Sequence, residues 1–92
     1  METIAVIIKD ELGLHAKPAF RLAQLANSFK SELVIENNER MVNGKSVLEI
    51  LTLSANKGSE IKLVITGEDE KDAADGLKKL LNDSLGEGNG KQ

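Results

Sequence analysis

Two hydrophobic periods alternate along this chain, one of about two residues and one of about 3.6. Residues 3–9 crowd Ile4, Val6, Ile7 and Ile8 together, β-branched side chains that predict a buried strand. Residues 10–14 read as a loop. Over 16–29, Leu22, Leu25, Ala26 and Phe29 recur at helical spacing. Residues 32–36 centre on Leu33, Val34 and Ile35 and predict a second strand. Asn37-Asn38 is a turn signal, and 40–42 predicts a short return strand. Residues 46–53 predict a short helix, and Asn56-Lys57-Gly58 a turn. Residues 60–66 set Ile61, Leu63 and Ile65 against Lys62, Val64 and Thr66, the alternation of a half-buried strand. Residues 70–81 carry Ala73, Ala74, Leu77, Leu80 and Leu81 on one helical stripe. Glycine-rich residues 86–92 are expected to be a flexible tail, which leaves 1–85 as one domain.

The element order is therefore βαββαβα. Short connections and one-sided stripes predict an α+β fold, a small antiparallel or mixed sheet with helices on one face. Ninety-two residues suffice for a modest core but not for a deep substrate cavity. With 40% apolar residues and 2% aromatic, that core must be aliphatic. The formal charge of −3, without a basic run or an aromatic platform, argues against a nucleic-acid partner. Having no cysteine and one histidine, the chain is expected to hold no disulfide, metal or other cofactor. It shows no signal peptide and no apolar run long enough for membrane insertion, so a cytoplasmic protein is expected; a monomer is expected as well.

The charge pattern of the first helix is reversed. A helix N-terminus favours Ser, Thr, Asp or Asn as cap and acids in the first turn. This one offers His15, then Lys17 and Arg21, with no acid until Glu32. Cations at the positive end of the dipole cost stability, and a broken local rule marks a candidate functional site. What the arrangement suits is an anion. Free backbone N–H groups, the dipole and a lysine together favour a phosphate. A neutral imidazole can act as a nucleophile near pH 7, and phosphoryl transfer needs mainly positioning and charge stabilisation. His15 is thus a candidate phosphoryl acceptor, the backbone N–H groups of Ala16 and Lys17 candidate phosphate ligands, and the Lys17 ammonium a point charge for the phosphoryl oxygens. Pro18 lacks an N–H, but its fixed φ suits a first turn. A surface histidine without any role fits the residues as well.

Phe20 lies nearly opposite the buried stripe, on a face with Lys17, Gln24 and Asn27. One of two aromatic residues is thus predicted to face solvent beside His15, as a docking contact, unless its ring folds back over a loop. The second helix is apolar on more than one face, through Val47, Leu48, Ile50, Leu51 and Leu53. A sheet covers only one face, so Leu48 with Val47 and Leu51 is expected to add an exposed apolar patch, unless the helix is wedged between the sheet and a loop. Ser46 and Glu49 have the spacing of a capping box. Capping does not preclude phosphorylation of Ser46, because a helix N-terminus accepts a phosphate.

Taken together, Gly13-Leu14-His15-Ala16-Lys17-Pro18-Ala19, Gly44-Lys45-Ser46-Val47-Leu48, Lys57-Gly58-Ser59-Glu60-Ile61 and the helix start Gly67-Glu68-Asp69-Glu70 closely resemble the HPr family. That family comprises the histidine phosphocarriers of the bacterial phosphoenolpyruvate:sugar phosphotransferase system. The resemblance runs without an evident gap from about Thr3 to Leu81. It implies an open-faced β-sandwich, a four-stranded antiparallel sheet covered on one face by three helices. It implies that His15 takes a phosphoryl group on Nδ1 from Enzyme I and passes it to Enzyme IIA components of sugar permeases. In many low-GC Gram-positive members the residue matching Ser46 is phosphorylated by a serine kinase/phosphorylase that signals to a carbon-catabolite regulator, and the residues matching Val47, Leu48 and Leu51 form part of the family's docking surface. Three positions depart from the family pattern. Lys17 stands where arginine is usual and lacks the planar fork. Glu49 places an acid where glycine or lysine is common, and Asn38-Glu39 replaces a frequent Asn-Gly. Two alternatives stay open: the nitrogen-type regulatory phosphocarrier (NPr), with the same histidine and fold, and a non-reactive regulatory or ligand-binding βαβ module.

Overall fold

The computed structural model of the protein describes residues 1–84 together with Gly86 and Glu87. Strand β1 (Glu2–Ile8) leads into helix α1 (Ala16–Asn27), then strands β2 (Glu32–Asn37) and β3 (Arg40–Asn43). Helix α2 (Val47–Leu51), strand β4 (Glu60–Thr66) and helix α3 (Glu70–Ser84) follow. A two-residue strand, β5 (Gly86–Glu87), closes the order. The sheet runs β3-β2-β4-β1-β5, and every pairing is antiparallel. The predicted α+β open-faced sandwich is what forms: four main strands with three helices on one face.

Period-two burial decides which side chains meet the helices. In β4, Ile61, Leu63 and Ile65 are buried as expected, and in β2 Leu33 and Ile35 are. Strand β1 differs from the expectation of a wholly buried run. Ile4, Val6 and Ile8 face the core, whereas Ile7 stands on the open face at 43% exposure. A sheet with helices on one side buries only alternate residues, however apolar the run. The helices return Ala19, Leu22, Ala23 and Ala26 from α1, Ile50 from α2, and Ala73, Ala74, Leu77 and Leu81 from α3. Each Leu or Ile buried this fully contributes about 1.5–3 kcal/mol relative to exposure.

Two loops set the helix positions. Asp69 precedes α3 and reaches back to the end of α1, where its carboxylate accepts the Ser31 hydroxyl and the N–H groups of Ser31 (2.9 Å) and Lys30 (2.8 Å). Gly86 and Glu87, expected in a flexible tail, pair instead with Ile8 and Ile7 on the free edge of β1. The rest of that predicted tail, 88–92, lies outside the described residues. Among the described residues, no helix is long and apolar enough to cross a membrane.

Candidate functional site

The site begins with a tight turn after β1. The Gly13 N–H donates to Asp10 O at 2.9 Å, closing a four-residue turn, and Asp10 Oδ1 accepts the Leu12 N–H at 2.8 Å. Gly13 has φ +70, and a Cβ there would stand 2.5 Å from Ala55 O. Only glycine combines that backbone with so close an approach. The next N–H, of Leu14, bonds Ala55 O at 2.9 Å, and the Leu14 side chain is buried. The chain is thereby fixed on both sides of Gly13 just before His15.

His15 is the N-cap of α1, with extended backbone (φ −97, ψ −172), and its side chain makes no capping bond. The first turn holds no acidic residue. The first α-helical bond runs from the Ala19 N–H to His15 O at 3.0 Å. The N–H groups of Ala16 and Lys17 therefore precede the hydrogen-bond ladder, and Pro18 has none to offer. This is the reversed helix start expected from the sequence, with the imidazole standing where a cap would be.

The ring is 31% exposed, and its Nε2 lies 3.4 Å from Asp10 Oδ2. The Leu12 N–H, aided by the neighbouring His15 ring, holds the Asp10 carboxyl below its ordinary value of 3.8. An open depression beside the ring is lined by His15, Lys17 and Arg21 from the start of α1, by Asp10, and by Asp83 from the end of α3. Lys17 and Arg21, four residues apart, share one helix face. The sequence marks Arg21 only as a cation of the helix start, and it does not point to Asp10 or Asp83 as neighbours of the ring. For Asp10 there was a local signal, since Asp at the first position and Gly at the fourth is a turn signature. Asp83 comes from a remote helix, and no local pattern points to it.

The apolar side chains divide unequally. Phe20 is 56% exposed and Leu48 77%, so the Phe20 ring does not fold away. Leu51 is exposed as well, at 36%. Val47, expected in the same patch, is half-buried and packs against the core. The Asn27 side chain joins the two helices, donating to Ala23 O at 2.8 Å and to Lys45 O at 3.0 Å. Ser46 caps α2 by accepting the Glu49 N–H at 3.2 Å. The capping box is only half made. Glu49 Oε1 accepts the Asn43 N–H at 3.0 Å, while the Ser46 N–H bonds Asn43 O at 3.2 Å. The turn through Gly44 and Lys45 draws the Ser46 N–H to that carbonyl and leaves the glutamate to pin the loop entrance.

An open-faced sandwich that presents one imidazole at a helix start without a side-chain cap, with Lys17 and Arg21 beside it, has the build of a phosphoryl carrier. Comparison with known proteins agrees. Residues 3–83 match the family model described as PTS HPr component phosphorylation site. The chain is 40% identical over 84 residues to the phosphocarrier protein HPr of Neisseria meningitidis, covering 91% of this chain and 94% of that one. Among solved structures, the histidine-containing phosphocarrier protein of Mycoplasma superposes with a TM-score of 0.92 at 34% identity, over 95% of this chain and 100% of that one. HPr-C-His of Thermoanaerobacter tengcongensis gives 0.84 at 35% identity, over 89% and 92%. The chain belongs to the HPr family of phosphocarriers of the phosphotransferase system.

Proposed function

We propose that His15 is the phosphoryl acceptor, taking the group on Nδ1 from Enzyme I and giving it to Enzyme IIA components of sugar permeases. The observation that carries this reading is the start of α1, where a half-buried imidazole stands in the cap position and the first helical turn holds no acid. The Ala16 and Lys17 N–H groups donate to the phosphoryl oxygens, and the Lys17 ammonium offsets their charge. Phe20, Leu48 and Leu51, with the edge of Val47, form the surface that each partner covers in turn. A carrier must let go quickly, so a small apolar contact suits it. Ser46 is first the cap of α2, and its half-buried hydroxyl is also the modification point for a serine kinase. A cytoplasmic location fits these partners.

Intact-mass measurement after incubation with phosphoenolpyruvate and Enzyme I tests the reading. The expected result is an acid-labile gain of one phosphoryl group, absent in a folded His15→Ala variant. A His15→Ala protein that still gains it would refute the assignment. Parallel incubations with sugar-type and nitrogen-type Enzyme I distinguish the two phosphocarrier pathways.

A further inference from the structure

Asp10 is held before the imidazole reaches it. Its Oδ1 accepts the Leu12 N–H at 2.8 Å, and its own carbonyl accepts the Gly13 N–H at 2.9 Å. Both bonds lie within the 10–13 turn, so they aim Oδ2 without help from His15. That oxygen then faces Nε2 at 3.4 Å, within the looser reach common in a site without substrate. An ionised carboxylate can only accept hydrogen bonds. The ring nitrogen facing it must therefore carry the proton, and the other nitrogen keeps its in-plane lone pair.

We propose that Asp10 is a positioning residue that fixes the tautomer of His15, keeping the proton on Nε2 and leaving Nδ1 as the nucleophile. The proposal rests on the phosphoryl-carrier reading and deepens it. In the forward step the Nδ1 lone pair forms a bond to phosphorus. The bond from phosphorus to the donor breaks, and the donor keeps that electron pair. The Nε2 proton stays on the ring, which becomes cationic, and Asp10 offsets the new charge. In the onward step a lone pair of the acceptor bonds to phosphorus and the N–P electron pair returns to Nδ1. No proton need leave the ring in either direction. The other charged groups at the depression are Lys17, Arg21 and Asp83. The two cations suit the phosphoryl oxygens, and of the two carboxylates Asp10 is the one whose oxygen stands 3.4 Å from the ring, so the ring charge falls to it.

The test compares wild type with Asp10→Asn and Asp10→Ala. An asparagine can keep the Leu12 bond through its amide oxygen and then turns an N–H₂ towards Nε2, which demands the opposite tautomer. Ring ¹⁵N chemical shifts, read at a pH where His15 is neutral, should show Nε2–H in wild type, a shift towards Nδ1–H in Asp10→Asn and a mixture in Asp10→Ala. Transfer from phosphorylated Enzyme I should slow roughly tenfold or more in Asp10→Asn, with an unchanged melting transition. Identical tautomer ratios in the three proteins, or wild-type transfer by Asp10→Asn, overturn the proposal. Should wild type accept no phosphoryl group, the carrier reading falls, and the ¹⁵N shifts alone judge Asp10.

Discussion

Asn27 on α1 donates its side-chain amide to the backbone oxygen of Lys45 at 3.0 Å, immediately before α2 begins. A return bond runs from Lys45 Nζ to Phe29 O at 3.0 Å, so the end of α1 and the approach to α2 are tied by two bonds. Phe20 rides on one helix and Leu48 on the other, which makes their spacing depend on this tie. Asn27→Ala should cost about 1 kcal/mol for bonds that are partly exposed. It should also raise the apparent KM for Enzyme I, although Asn27 need touch no partner. Leu48→Asp separates docking from folding. Leu48 is 77% exposed, so stability should change by no more than about 0.5 kcal/mol while the apparent KM rises with both Enzyme I and Enzyme IIA. Steady-state transfer assays alongside urea unfolding check both. An unaltered KM for Leu48→Asp removes α2 from the docking surface.

Lys17 and Arg21 set a second expectation. Both line the depression at His15, and Lys17 is a point charge where a planar fork would bind two oxygens at once. Lys17→Ala should slow transfer in both directions about tenfold, close to 1.4 kcal/mol of transition-state stabilisation. Lys17→Arg should equal or exceed wild type. Arg21→Ala should slow transfer less, because Arg21 lies a full turn farther from the helix end. Single-turnover rates at low salt report these effects. A wild-type rate for Lys17→Ala would make the lysine an ordinary solvated charge.

The reach of the sequence follows the range of each interaction. Helix and strand periods depend on neighbours within a few residues, and β1–β4 and α1–α3 all lie where their patterns put them. The reversed charge at α1 is equally local, so His15, Lys17 and the exposed Phe20 could be read directly. Burial of Ile7 depends on which sheet face the helices cover, and its own strand carries no record of that. Val47 is half-buried because it packs against the core, a tertiary contact that the sequence of so short a helix does not record. Asp10 was legible as a turn residue only, since its tie to His15 needs the Gly13 turn to fold back on Ala55. Asp83, brought to the site by a remote helix, was beyond any local pattern, as was the Glu49 bond to Asn43.

Asp69 predicts how acid should weaken the fold. The Ser31 hydroxyl, with the Lys30 and Ser31 N–H groups, holds its carboxyl below the ordinary value of 3.8. A depressed carboxyl stabilises the folded state fully above its unfolded value. That stabilisation is lost as the pH falls through the lower folded value. Glu70 acts in the same direction, held below 4.5 by the N-terminal ammonium and the Gly67 N–H. Wild type should therefore lose stability as the pH drops below about 4. Asp69→Asn should be less stable at neutral pH and should lose less on acidification. Melting temperatures measured from pH 7 to pH 3 test this. Parallel curves for the two proteins would show that Asp69 does not set the acid limb.

Ser46 is the position where capping and regulation can be told apart. Its hydroxyl accepts the Glu49 N–H, so Ser46→Ala should cost roughly 1 kcal/mol. A phosphate there would meet the same N–H and the positive end of α2, and the fold should tolerate it. The consequence falls on the neighbouring surface. A charge of about −2 would stand beside exposed Leu48 and the Glu49 carboxylate. An acidic partner surface would be repelled, and desolvating the new charge would oppose docking. Ser46→Asp should slow phosphorylation of His15 by Enzyme I, and added salt should restore part of the rate. The Ser46→Ala protein subtracts the lost cap from that comparison. Equal rates for the two variants at low salt would leave Ser46 a helix cap alone.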